Sequence, residues 1–205
     1  MTPRKLYEIV LSVGAPLVLA VLELFHPRPH DLFHMDLHKW MLVHYLQIPL
    51  FPLSAYAVVL LVRAAPGVAA CIARVAMFVF GITYVAFDTA AGLVTGVLLQ
   101  AAQTDATTQW QPAVMRVWTH PVLGGAPGTT PVLAVVGTMA WTIGGLAATW
   151  IVWRRKGSWL AGIFLLISAL ALFIFKTHAW PGGPITFGAL AAAAICFEVQ
   201  RGDQT

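Results

Sequence analysis

Histidines recur at intervals of four near one end of this chain, at His26, His30, His34 and His38, with His44 six residues further on. Two imidazoles one helical turn apart can hold a single divalent metal through ring nitrogens, as the i, i+4 pair of zinc helices does. Pro29 suits the first turn of a helix, and Asp31 sits near its positive end. Read as one helix from residue 30, at about 100° per residue, His30, His34, His38, Met41, His44 and Tyr45 fall within about a third of the circumference. The spacing predicts a metal site drawn from His26, His30, His34, His38 and His44. Asp31 or Asp36 serves there as a ligand or as the partner of a ring N–H. Imidazole suits zinc, copper and iron alike, so the residues do not choose among them. Zinc implies hydrolysis; copper or iron implies redox chemistry. A haem between His44 and a histidine of another helix is the cofactor alternative. A proton-linked role and a solvated interfacial face are the competing readings of the same residues. No His-Glu-x-x-His is present.

Other residues add to this set. Glu23 and His26 form a Glu-x-x-His step, the spacing that puts both groups on one inward face in di-metal carboxylate bundles, where it must occur twice. It occurs once here, which makes Glu23 a ligand or a base. Asp88 lies inside an apolar stretch, where an ionised carboxylate costs at least about 2.5 kcal/mol. The position predicts a protonated carboxyl at mid-depth, deeper than the histidines, with no cationic or histidine partner within reach. Asp88→Asn should then preserve the fold and stop any proton transfer, whereas Asp88→Leu should also damage packing. Pro49 and Pro52 are expected to interrupt their helix just below His44 and free backbone carbonyls, either into a cavity or, equally, at a packing kink. Gln47 and Gln100 are polar groups for such a cavity. His120, in the segment Trp110–Pro121 that reads as a short interfacial helix, and His178, in Lys176-Thr-His-Ala-Trp180, are further possible ligands.

The elements that must position these groups are membrane helices. Of the 205 residues, 59% are hydrophobic and 10% charged, against about 45–50% and about 25% in soluble domains. The mean hydropathy is +0.79. Apolar runs of about 20 residues, the length that crosses roughly 30 Å of hydrocarbon, recur along the chain. They predict an all-α integral membrane protein, a single six-helix transmembrane domain over residues 1–205. The spans fall at about 6–26, 38–63, 74–101, 130–153, 158–176 and 182–199, with outer loops 27–37 and 102–129. The first apolar stretch is long for a signal sequence and reads as an uncleaved span.

Orientation follows from positive charge. With the N-terminus inside, Arg4, Lys5, Arg63, Arg74, Arg154, Arg155, Lys156 and Arg201 are cytoplasmic, eight against the four of Arg28, Lys39, Arg116 and Lys176. Both termini are then inside, and the histidines collect on or near the outer side. Trp40, Trp118 and Trp180 mark the outer interface, and Trp150, Trp153 and Trp159 the inner one. The net charge of +4 is explained by these loops, and no basic helix or finger spacing points to nucleic acid. Cys71 and Cys196 form no disulfide framework.

These features predict a membrane-embedded, metal-dependent hydrolase or oxidoreductase. It acts on a lipophilic small molecule from a histidine-rich site at the extracytoplasmic mouth, in a plasma membrane of the bacterial inner type. A small proton-coupled transporter using Asp88, a haem-binding membrane protein and a non-catalytic assembly scaffold are the alternatives.

Overall fold

The computed structural model describes residues 3–28, 31–105, 110–155 and 158–202. His30 lies outside the described residues, and among those described there is no strand. Helix α1 runs through Pro3–Ile9, a π-helical turn Val10–Gly14 and Ala15–Leu24. Helix α2 is Leu37–Leu61. Helix α3 is Val68–Thr104, with a second π-helical turn at Thr89–Val94. Then come α4 (Trp110–Trp118), α5 (Val132–Arg154), α6 (Trp159–Phe175) and α7 (Gly182–Gly202). Among the described residues, five helices are long and apolar enough to cross a membrane: Leu6–Leu24, Leu37–Leu61, Val68–Thr104, Val132–Arg154 and Gly182–Gln200. The apolar helix α6 is shorter, at 17 residues.

The long helices pack as a closed ring in chain order: α1 on α2, α2 on α3, α3 on α5, α5 on α6, α6 on α7, and α7 back on α1. The core inside the ring is aromatic, with Phe51, Phe80, Trp141 and Phe187 buried in edge or tilted contact. Large apolar side chains such as Val18, Phe78, Ile143 and Ile174 are exposed on the outer flanks, while Glu23, His44, Gln47 and Asp88 are buried. Burying the polar groups and exposing the apolar ones reverses the pattern of a water-soluble bundle and fits hydrocarbon as the surrounding solvent.

Charged side chains gather at both ends of the ring. One end holds the Glu8–Arg63 ion pair. There Arg74 donates to the carbonyls of Arg63 and Ala65, and Arg155 to that of Ala64 at 2.7 Å. The other end carries His26, Arg28, Lys39, Arg116 and Lys176 on the closing or opening turns of the helices and their loops.

Three local expectations are corrected. The histidine stretch is not one helix from residue 30. Asp31 accepts from the Phe33 amide at 2.9 Å and starts a 3-10 turn, Leu32–His34. Asp36 accepts from the Lys39 amide at 3.0 Å and caps α2. Aspartate satisfies helix starts better than helix interiors, so two aspartates five residues apart split the segment. Second, α2 continues through Pro49 and Pro52; neighbouring helices hold it straight enough to stay helical, with the backbone of α3 close to the Pro52 ring at Gly81. Third, α3 begins at Val68 and not at 74. Gly67, at φ 93, makes the turn into it, and Arg74 reaches back along the helix to the loop carbonyls and does not end it.

Helix α3 has 37 residues, about 55 Å at about 1.5 Å per residue, so it overruns the bilayer. Its final turns pack Leu99 against Leu32 and Val114 in a small second core, with Phe33 and Trp118 alongside. This cap of α4 and the 3-10 turn closes the histidine end of the ring.

Candidate metal centre

Three chain segments converge under the cap. Glu23 lies in the last turn of α1 and His26 just past its end at Leu24, where the His26 amide donates to the Glu23 carbonyl at 3.4 Å. Glu23 is fully buried, and the Gln47 amide of α2 donates to its Oε1 at 2.7 Å. His178 arrives from the link between α6 and α7. That link is pressed on α7: a Cβ on Gly183 would lie 1.6 Å from the His178 carbonyl oxygen and 2.9 Å from Glu23 Cγ. Only glycine lets the first turn of α7 approach both groups so closely. Each of Glu23, His26 and His178 offers one ligand atom, and these lie within 4.8 Å of one another.

The hydrogen bonding leaves those residues open toward a common point. His26 Nδ1 lies 2.9 Å from the Pro27 carbonyl. A carbonyl only accepts, so Nδ1 carries the proton and Nε2 keeps its lone pair. Among the described residues, Glu23 Oε2, His26 Nε2 and His178 Nε2 are all buried with no hydrogen-bond partner. Buried polar atoms are almost always satisfied, and one orphan from each of three neighbouring residues asks for a shared partner. A metal ion fits this donor set of two imidazoles and a carboxylate.

A second pair stands beside them. The His26 and His44 rings are 5.1 Å apart, and the His26 and His178 rings 4.9 Å. His44 Nδ1 donates to the Trp40 carbonyl at 2.7 Å, and His44 Nε2 faces Asp88 Oδ1 at 3.8 Å. The absence of a partner expected for Asp88 is therefore corrected. Because α3 starts earlier and overruns the bilayer, Asp88 lies level with His44 and not deeper. With Nδ1 protonated, Nε2 and the carboxyl face each other as two acceptors unless one proton lies between them.

The π-helical turn after Asp88 sets this contact. A Cβ on Gly92 would lie 1.9 Å from His44 Cδ2, and Trp40 Nε1 donates to the Gly92 carbonyl at 2.8 Å. Tyr84, whose hydroxyl meets the Thr138 hydroxyl at 2.9 Å, and Phe51 and Phe87 surround the His178 ring at about 6 Å. A cavity of about 890 Å³ opens in front of His26 and His178.

The remaining residues of the histidine stretch lie elsewhere. His34 is exposed and paired with exposed Asp31 at 2.8 Å; that hydrogen bond, with a second from the Phe33 amide, holds the Asp31 carboxyl below its usual range. His38 and the capping Asp36 are exposed. His120 Nδ1 accepts from the amides of Val122 and Leu123 at 3.2 and 3.3 Å and shapes a turn. Gln47 is in the cluster and Gln100 is exposed. Gly183, Thr138 and Tyr84 carry no signal of their own in the sequence, because their roles depend on which helix faces which.

Burial holds the imidazole of His26 well below its ordinary value, helped by the neighbouring His178 and His44, and pushes His178 down to about 3. Both are neutral at pH 7, as a metal ligand must be. The sign for stability follows. The unfolded imidazoles take up protons below about pH 6.5, while the folded ones refuse them until much lower pH. Unfolding then binds protons, so stability falls as pH falls through this window. The melting temperature of chelator-treated protein should drop steadily from pH 7.5 to pH 5, and His178→Phe should flatten that slope. A flat wild-type profile would contradict the buried neutral pair.

The fold and this cluster together define a helical membrane bundle with a buried histidine–carboxylate centre. No family model matches the chain, and neither a curated protein nor a solved structure matches it.

Proposed function

We propose that the chain is a membrane-embedded, metal-dependent enzyme whose metal is held by Glu23, His26 and His178, with His44 and Asp88 alongside. The observation that carries this reading is the set of three buried, partnerless atoms on those three residues. Two imidazoles and a carboxylate serve catalytic zinc and non-haem iron alike. The bound ion supplies either water activation for hydrolysis or a redox centre acting on a lipophilic substrate. The chain's own groups do the rest. Gln47 fixes the Glu23 carboxylate, the Pro27 carbonyl sets the His26 tautomer, and the cap excludes bulk water. The His44–Asp88 pair stores one proton next to the site, in position to give or take it at a reacting atom.

The same pair supports a second reading, a small proton-coupled transporter, in which the proton moves with cargo. Metal analysis and an optical spectrum of detergent-purified protein decide between them. The enzyme reading expects about one transition-metal equivalent per chain and no haem Soret band. No metal in protein purified without chelator, with function retained, favours the carrier.

The site is proposed to face outward in a six-span, N-in and C-in topology. The eight-to-four excess of Lys and Arg supports this. Single cysteines at positions 32 and 180 should react with an impermeant reagent in intact cells, and one at position 66 should not. Labelling of 66 with protection of 32 would invert the topology and place the site inside.

A further inference from the structure

We propose that the cavity in front of the histidines binds an anionic amphiphile, a single apolar chain with an anionic head, that enters sideways from the bilayer between α5 and α6. The cavity, at about 890 Å³, is within the range of about 300–1,000 Å³ common to small-molecule sites. Its walls divide by chemistry. Trp40, Phe87 and Trp118 make an aromatic wall, while Val135 and Met139 of α5 and Phe173 of α6 line the far side. Those last three are also exposed on the flank of the ring, at 44%, 41% and 52%. The cavity therefore reaches the surface that hydrocarbon covers, and a chain can lie across that opening with its tail still in the membrane.

The head-group end is cationic. Arg28 and Lys176 line the cavity, and among the described residues no Asp or Glu does. Arg28 is held in place by donating to the Trp180 carbonyl at 3.0 Å. Lys176 ends α6 in the left-handed conformation, at φ 53 and ψ 30. That position belongs by preference to glycine or asparagine, so the lysine that lines the cavity there stands at a conformational cost. With His26 and His178 on the same wall, an anionic head seated between Arg28 and Lys176 lies next to the metal-site residues. What happens to the head group rests on the enzyme reading above; the binding does not.

The test uses the full chain in nanodiscs of zwitterionic lipid, with 9,10-dibromostearate as the probe. Bromine quenches tryptophan on contact, and Trp40 and Trp118 line the cavity. A saturable quenching component with one site per chain is expected over a linear background from partitioning. Lys176→Gly should weaken it about tenfold or more, the scale of one lost charge-assisted bond. Because glycine suits that backbone, the same variant should keep or raise the melting temperature, so weak binding is not misfolding. Ala134→Phe, which fills the cavity wall, should leave only the linear background, and the uncharged methyl ester should bind about tenfold more weakly. His34→Ala, at an exposed position away from the cavity, should retain saturable quenching. Wild type that carries no metal when purified without chelator, yet shows the saturable component, sinks the metal reading and keeps this one. Metal-loaded protein with no saturable component, or equal binding of acid and ester, overturns this one.

Discussion

Gly92→Ala is expected to lower the melting temperature by on the order of 5 °C or more, the scale of about 1–3 kcal/mol for an overpacked core in a chain of this size. The added methyl would lie 1.9 Å from His44 Cδ2 and 2.5 Å from Cγ, far inside contact distance. The imidazole has nowhere to step: its Nδ1 is tied to the Trp40 carbonyl, and the Trp40 indole is tied to the Gly92 carbonyl. The clash must therefore push α2 and α3 apart or turn His44 away from Asp88. Either outcome disturbs the neighbouring His26 ring and with it the metal centre. Gly188→Ala is the matched control. Its Cβ would meet nothing nearer than Ala20 Cβ at 3.9 Å, and alanine is the better helix former. Thermal melts of the two variants side by side check this. A Gly92→Ala protein as stable as Gly188→Ala would mean that the π-helical turn does not bring α3 against His44.

Asp88 separates proton chemistry from packing. Asp88→Asn keeps the shape, and its amide can donate to His44 Nε2, so the melting temperature and the metal content should stay near wild type. The amide has no proton to release, and turnover should fall by about a hundredfold or more, the low end of what a positioned acid or base contributes. Asp88→Leu leaves the buried Nε2 without a partner, which costs about 1–3 kcal/mol; it should lose stability as well as turnover. The contrast between the two variants is the informative quantity. Wild-type turnover in Asp88→Asn would make the pair a structural hydrogen bond and would remove the support for proton transfer in either functional reading.

The architecture was legible because hydrocarbon imposes a simple rule: long apolar runs bounded by Pro, Gly and charge. The breaks at His26-Pro27, at Ala65-Pro66-Gly67 and at Pro181 to Pro184 all coincide with helix ends. The segment Trp110–Trp118 is helical as expected. The start of α3 was missed because Arg74 reads as a loop residue, although a long arginine inside a helix end can reach loop carbonyls. The site was only half legible. Glu23 and His26 stand three apart in the sequence and carry a local signal, although α1 ends between them at Leu24. His178 lies 152 positions beyond His26, and only the closure of α7 onto α1 brings it alongside. The four-residue histidine rhythm drew attention to His34 and His38, yet periodicity matters only if the helix is continuous. Asp31 and Asp36 cap separate segments and turn those two imidazoles outward. Asp88 drew attention by its place in an apolar run, but finding His44 as its neighbour needed the overlap of α2 and α3.

Metal content of single histidine variants tests the central claim most directly. Wild type, His26→Ala, His178→Ala, His34→Ala and His38→Ala would be purified without chelator and their transition metal counted per chain. The account predicts about one equivalent in wild type, His34→Ala and His38→Ala, and loss of metal in His26→Ala and His178→Ala, because removing one of three ligands leaves too few to hold the ion. Metal retained in His26→Ala and lost in His34→Ala would contradict it and return the site to the exposed histidine stretch.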